Sequence, residues 1–267
     1  MINVLQITDC HLVVEDALLI GVDTQASLEA VLRQATAERK PDAVLASGDL
    51  AHDPMPAVYE RFLTTVQEHT DAPLVCAPGN HDVLAAMSGL PQKDLQIGNW
   101  AIVNLDSHED ESTPASVSAQ DRERVQQAFA ETDADHVLLS THHPFVAVGA
   151  PWLDRDRIQN PEELVKWLAE CSRSDSDPAE SQSAGRIRAI VFGHAHQEVS
   201  GHCENVPVYG APSTCFQFKP RSQTFAIDDE GDGRHPGFRW IELDEDGAVT
   251  TQVGRAKEFL IEPELRR

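Results

Sequence analysis

Ile2-Asn3-Val4-Leu5-Gln6-Ile7-Thr8-Asp9-Cys10-His11 opens the chain with a short apolar run that stops abruptly at a carboxylate and an imidazole. Leu28, Val31, Leu32 and Ala35 follow at i, i+3, i+4, i+7, so the run reads as a strand over 2–8 and the next segment as an amphipathic helix. The cycle repeats: Ala43-Val44-Leu45-Ala46 reads as a buried strand, and Tyr59, Phe62, Leu63 and Val66 as a helix opened by Pro54 and Pro56. A third strand is predicted from Pro73 to Ala77. Strand and helix in alternation call for a sheet with helices packed on it.

Farther along, Trp100 to Leu105 and His136 to Thr141 read as strands, separated by a helix through Val125 and Phe129 with Ser118-x-x-Asp121 as its capping box. Another helix is predicted to start at Asn160-Pro161. Residues 173–185 lack apolar side chains and read as a polar loop or insertion. From about 187 the pattern turns strand-rich, with runs at Ile187 to Phe192, Val206 to Tyr209, Thr214 to Phe218, Thr224 to Ile227, Phe238 to Leu243 and Ala248 to Val253. The reading is one domain over 1–267, a mixed α/β fold with an antiparallel second half.

Composition narrows the function. With 44 acidic against 21 basic residues the formal charge is −23, which excludes a protein that coats nucleic acid through a basic face. An acidic soluble protein and a salt-adapted one fit this balance equally. No run approaches the ~18 apolar residues of a membrane span, and Met1 leads straight into the first strand without a basic leader. Cys10, Cys76, Cys171, Cys203 and Cys215 are scattered and odd in number, against a disulfide framework. A reducing cytoplasm, with no membrane and no nucleic-acid partner, is the expectation.

Chemistry gathers where the strands end, the usual crevice of an α/β sheet. Five runs close on polar residues: Thr8-Asp9-Cys10-His11, Ser47-Gly48-Asp49, Pro78-Gly79-Asn80-His81-Asp82, Thr141-His142-His143-Pro144 and Phe192-Gly193-His194-Ala195-His196. Strand alternation would turn Asp9 and His11 to one face and Cys10 to the other, and His194 and His196 likewise share a face. Any one motif alone suits an ordinary turn. Five together offer carboxylate, amide and imidazole ligands to a dinuclear metal site. A shell of nitrogen and oxygen donors suits manganese, iron, cobalt or zinc rather than a thiolate zinc site.

In this order the motifs resemble the calcineurin-like metallophosphoesterase superfamily across residues 2–200. Gly193-His194-Ala195-His196-Gln197-Glu198, Pro212-Ser213-Thr214-Cys215-Phe216-Gln217-Phe218 and Pro236-Gly237-Phe238-Arg239-Trp240 extend the resemblance to the bacterial class III 3',5'-cyclic AMP phosphodiesterases. The resemblance implies a four-layer α-β-β-α sandwich of two mixed β-sheets flanked by helices. It implies that Asp9, His11 and His196 hold one metal, that Asn80, His142 and His194 hold a second, and that Asp49 bridges them. The cofactors would be two divalent or mixed-valence transition metal ions, manganese or iron ahead of zinc or cobalt. By the same resemblance Asp49, Asn80 and His81 would carry the catalytic roles, with His81 a non-ligand near the leaving oxygen, and Asn80, His81, His143 and His196 would meet the substrate. His143 either faces the substrate or caps its loop.

The implied reaction is hydrolysis of 3',5'-cyclic AMP to 5'-AMP by in-line attack of hydroxide between the two ions. The ions carry +4 against −2 from Asp9 and Asp49, leaving the pocket at roughly +2, so an anionic diester can enter an acidic protein. Two other readings stay open: a broader phosphoesterase acting on glycerophosphodiesters, nucleotides or phosphomonoesters, and a non-catalytic scaffold of the same fold. His52 stands where purple acid phosphatases carry a metal-bound tyrosine, so no tyrosinate centre is expected; with His69, His108, His136, His202 and His235 it reads as structural or surface. Glu109 to Val117 is acidic where relatives tend to have a glycine-containing loop.

Overall fold

The computed structural model of the protein describes residues 1–91, 94–108, 115–172 and 185–264. All but the last residue of the polar stretch 173–185, and residues 109–114 of the acidic stretch, lie outside them.

Strands β1 (Ile2–Ile7), β2 (Ala43–Ser47) and β3 (Leu74–Ala77) run parallel in one sheet, linked by helices α1 (Thr24–Glu38) and α2 (Pro56–His69). Helix α1 starts where the Asp23 carboxylate accepts from Ala26 N at 2.9 Å, and α2 starts with Pro56 in its first turn. The second sheet is built from β4 (Asp94–Ile97), β5 (Trp100–Leu105), β6 (His136–Thr141), β7 (Ile187–Phe192), β8 (Val199–Cys203) and β9 (Val206–Gly210). Helices α3 (Ala119–Glu131), a single turn α4 (Pro151–Asp154) and α5 (Pro161–Cys171) belong to this half. Strands β10 (Gly237–Leu243) and β11 (Val249–Arg255) return to the first sheet, giving the orders β11-β10-β1-β2-β3 and β4-β5-β6-β7-β9-β8.

Three apolar layers hold the two sheets and their helices together. Val4, Leu45, Trp100, Ile102, Leu138, Val191 and Ile241 interleave between the sheets. Leu28, Val31, Leu32, Phe62 and Val66 pack α1 and α2 on one outer face, and Val125, Phe129, Leu164 and Leu168 pack α3 and α5 on the other. This is the expected α-β-β-α sandwich. Truncating a fully buried leucine such as Leu28 or Leu168 would cost about 2–5 kcal/mol through lost burial and the cavity left behind.

Several expectations need correction. Thr214 to Phe218 forms no strand, because its polar groups are committed elsewhere: Thr214 N donates to Thr8 O at 3.0 Å, Ser27 Oγ donates to Thr214 O at 2.6 Å, and Cys215 N donates to Ser213 Oγ at 2.7 Å. Thr224 to Ile227 keeps only a bridge between Ile227 and Phe218. The second half is not wholly antiparallel, since β9 joins β7 in parallel. The capping box of α3 is half formed: Ser118 Oγ accepts from Asp121 N at 3.0 Å, but the Asp121 carboxylate takes Asp106 N and Arg124 instead. No helix among the described residues is long and apolar enough to cross a membrane.

Candidate metal centre and active site

The carboxyl ends of β1, β2 and β3 in one sheet and of β6 and β7 in the other open on the same crevice. Gln6 is fully buried where the sheets meet, and its Nε2 donates to Ser47 Oγ at 2.9 Å and to Phe192 O at 3.1 Å. Asp9 N donates to Gly48 O, and Gly193 N donates to His142 O, so each strand end is tied to its neighbour's loop. The five polar strand ends therefore converge.

They do so on an unusual backbone. Asp9, His11, Asp49, His194 and His196 all have positive φ, between 45° and 61°. Their segments lie beyond the ends of β1, β2 and β7, so the strand alternation expected for Asp9 with His11 and for His194 with His196 does not apply. Left-handed residues curl the chain so that side chains two apart still point into one space. Aspartate and histidine tolerate this region better than most residues, and strain of this kind concentrates at functional sites. Cys10, between two such residues, is buried in the apolar layer under α1 and α2.

One donor group comprises Asp9, His11 and His196. His196 Nε2 lies 3.2 Å from Asp9 Oδ1 and 3.1 Å from His11 Nε2, while its Nδ1–H donates to Phe216 O at 2.7 Å. Burial lowers the His11 pKa to about 3, so this imidazole is neutral at physiological pH. Asp9 is also buried, which alone would raise its pKa, but the adjacent His196 prevails and holds it below the usual carboxylate range.

The second group comprises Asn80, His142 and His194. Asn80 Oδ1 lies 2.9 Å from His194 Nδ1 and 3.2 Å from His142 Nε2. The Nδ1–H of His142 donates to Ser47 O at 3.0 Å, which fixes the ring so that Nε2 faces the crevice. Burial depresses His194 to about 3. Burial would depress His142 too, but the Asp49 carboxylate raises it to about 9.

Asp49 stands between the groups. Its Oδ2 is 3.3 Å from His142 Nε2 in one and 3.7 Å from His11 Nε2 in the other, and its Oδ1 accepts from His81 N at 2.8 Å. Burial would raise its pKa; His142 overrides that and holds Asp49 well below the ordinary value. Gly48, at φ +100°, approaches so closely that a Cβ there would collide with the His142 ring.

These residues suit divalent metal ions. Asp9 Oδ1, His11 Nε2 and His196 Nε2 direct lone pairs at one another once the rings are neutral. A proton on one ring can serve only one of those contacts, whereas a cation satisfies all three. Asp9, His11 and His196, and separately Asp9, Asp49 and His142, bring their ligand atoms within 4.8 Å of one another. The set is oxygen and imidazole nitrogen, suited to divalent transition metals.

Asp82 holds the Asn80-His81 loop. Its carboxylate accepts from the backbone N–H groups of Leu50, Ala51 and Gly79 and from the Tyr59 hydroxyl, tying the β3 end to the β2 end. Burial and the nearby Asp49 charge push its pKa to about 7.

The crevice is a cavity of about 310 Å³, within the range of small-molecule sites. Asn80, His81, His194, His196 and Phe216 line it. His81 is exposed at its mouth, its ring edge-on to His11 at 4.9 Å. His143 is buried beside the crevice, with Nδ1 2.8 Å from Ser107 Oγ and its ring 4.8 Å from that of His194. Glu198 and Arg239 line a separate depression. Sequence reasoning missed His52, which lines the cavity with its ring on His81 at 5.2 Å, and the apolar wall of Leu19, Ile20, Trp152, Phe218 and Phe225. For His52 the signal was its spacing three residues after Asp49; the wall gives none, because its members share no period.

The family model for calcineurin-like phosphoesterases matches residues 2–198. A 3',5'-cyclic adenosine monophosphate phosphodiesterase of Haemophilus influenzae is 32% identical over 276 residues, covering 100% of this chain and 94% of the relative. A 3',5'-cyclic-nucleotide phosphodiesterase of Nostoc is 34% identical over 98% of this chain and 96% of its own length. The corresponding Escherichia coli cyclic AMP phosphodiesterase is 33% identical over 98% and 93%. Among solved structures, a purple acid phosphatase from yellow lupin superposes with a TM-score of 0.61 at 11% identity over 98% of this chain and 52% of that one, a likeness of fold alone. With more than half its length matched and full-length relatives above 30% identity, this chain belongs to the calcineurin-like phosphoesterase family.

Proposed function

We propose that this chain hydrolyses 3',5'-cyclic AMP to 5'-AMP and thereby ends cyclic-nucleotide signalling in a reducing cytoplasm. The observation that carries the reading is Asp49, whose Oδ2 faces His142 on one side and His11 on the other, so that two donor groups share one carboxylate. Full-length relatives named for cyclic AMP hydrolysis support the choice of substrate, and five free cysteines agree with the compartment. When bound, a pair of metal ions supplies Lewis acidity toward the phosphate oxygens and acidifies water for attack on phosphorus.

The chain's own residues do the rest. Asp9, His11 and His196 would hold one ion, Asn80, His142 and His194 the other, and Asp49 both. The backbone oxygens of Ser47 and Phe216 orient His142 and His196 through their Nδ1–H groups, which keeps each Nε2 lone pair inward. His81, exposed beside the cavity and anchored through its backbone N–H to Asp49, donates a ring proton to the departing ribose 3' oxygen as the P–O3' bond breaks. General-acid assistance of this kind contributes ~10²–10⁴-fold.

The test is steady-state release of 5'-AMP by Mn²⁺-reconstituted protein, with cyclic GMP, 2',3'-cyclic AMP, glycerophosphocholine and bis(4-nitrophenyl) phosphate assayed in parallel as alternative substrates. A kcat/KM of ~10⁴ M⁻¹s⁻¹ or more on 3',5'-cyclic AMP, above the rest of the panel, is expected. Equal turnover of all five would overturn the signalling assignment in favour of a broad phosphoesterase.

A further inference from the structure

We infer that Trp152, Phe218 and Phe225 form a corner that receives the nucleobase of the substrate, so that the site selects nucleotides over phosphoesters without a base. The inference rests on the reading above for the position of the phosphate. Phe225 is 49% exposed, the one aromatic side chain among the exposed large apolar residues described, and it stands at the rim of the cavity that holds the metal-ligand candidates. An exposed phenyl at the mouth of a crevice with an apolar wall offers apolar area that a bound group would cover.

The three rings are inclined to one another, not stacked. Trp152 meets Phe218 at 4.9 Å and 76°, Trp152 meets Phe225 at 5.6 Å and 64°, and Phe218 meets Phe225 at 5.5 Å and 70°. They are walls of a corner, a shape that takes a flat aromatic group. The corner begins at the reaction centre: Phe218 lies on the His196 ring at 4.1 Å and 22°, and His196 belongs to the Asp9 donor group. Phe218 thus carries the corner up to the donor group that would hold the phosphate, in the same cavity.

Hydrogen bonds hold the elements that carry the corner. Phe218 and Ile227 form a bridge flanked by Lys219 N donating to Ala226 O at 2.7 Å and Asp228 N donating to Gln217 O at 2.9 Å. Trp152, on α4, donates from Nε1 to Ser222 Oγ at 3.1 Å, which fastens the other sheet's helix to this loop. Stacking on aromatic rings serves any base, since every base has a π-face, so the corner distinguishes base from no base and favours purines by their larger area.

Binding of 5'-AMP and of ribose 5-phosphate to the metal-loaded protein, measured by titration calorimetry, isolates the base because both carry the same phosphate and sugar. Wild type is expected to bind 5'-AMP about tenfold to hundredfold more tightly than ribose 5-phosphate. In Trp152→Ala and in the milder Phe225→Leu, at a partly exposed position, that ratio should fall toward one while ribose 5-phosphate affinity stays within about twofold of wild type. A ratio unchanged in both variants, or ribose 5-phosphate binding lost in step with 5'-AMP, overturns the corner. A change of oligomeric mass in Phe225→Leu with the ratio intact also overturns it, and assigns the exposed ring to contact with a second copy. A wild-type ratio that collapses in the variants, beside no hydrolysis of cyclic AMP, upholds the corner and defeats the proposed reaction.

Discussion

A Cβ added at Gly79 would overlap Oδ1 and the backbone nitrogen of Asp49 and stand 2.8 Å from its Cγ. The end of β3 is thereby pressed against the carboxylate shared by the two donor groups, and only hydrogen fits between them. Gly79→Ala is expected to displace Asp49 from His142 and His11, lowering kcat/KM and metal affinity by about 10–100-fold, as supporting contacts around metal ligands commonly do. Metal content by mass spectrometry and the rate on cyclic AMP check this. Unchanged values in a folded variant would mean that the loop yields without moving Asp49.

Asp49 and Cys10 make a contrasting pair of substitutions. Asp49→Ala removes the carboxylate that faces both groups and is expected to abolish activity and metal retention. Cys10 is fully buried in the apolar layer and adds nothing to the donor set, so Cys10→Ala should cost roughly 1 kcal/mol of stability with near-native turnover. Thermal melts and rates on both variants distinguish the roles, and equal loss of activity would put Cys10 in the site.

As a metal ligand, His142 would make metal loading acid-sensitive. In the metal-free protein its pKa is raised from 6.5 to about 9, burial working against the shift and the Asp49 charge producing it. Below that pKa the ring must lose a proton to ligate, so affinity should weaken by about tenfold per pH unit for this group, and a Mn²⁺ titration near pH 7.5 should release a proton that His142→Asn does not. The sign for stability follows: because the folded pKa lies above the unfolded one, the His142 contribution is full below pH 6.5 and lost as pH rises through about 9. Melting of metal-free protein over that range, compared with His142→Asn, measures it.

His81→Ala separates chemistry from ligation. The ring sits edge-on to His11 and on His52, outside the two donor groups, so the variant should keep its metals and lose ~10²–10⁴-fold in kcat. Loss of metal from that variant would make His81 a ligand.

Much of this could be read locally. The runs before Asp9, Asp49, Asn80, His142 and His194 are strands, and the periodic segments at 28–35 and 59–66 lie in α1 and α2, because burial on one face imposes a period that the residues must match. The same method failed at Thr214 to Phe218, where an apolar run resembling a strand spends its backbone on Thr8 and the His196 ring instead of on a neighbouring strand. Nor did it place His52, read as structural or surface, at the wall of the cavity with its ring on His81.

What the sequence alone determined is the inventory and its order: which strands end in acids, amides and imidazoles, and that all could serve one centre. Tertiary structure decided how they meet. Asp9 and His11 come together through a left-handed backbone rather than strand alternation, and Asp9 reaches His194 N across a separation of 185 positions because β1 and β7 end at one rim of facing sheets. Trp152, Phe218 and Phe225 form a corner only after α4 and the bridge at Ile227 are docked. Local periods report which face of an element is buried; they carry no information on which distant element covers it, and the covering element is what builds a site.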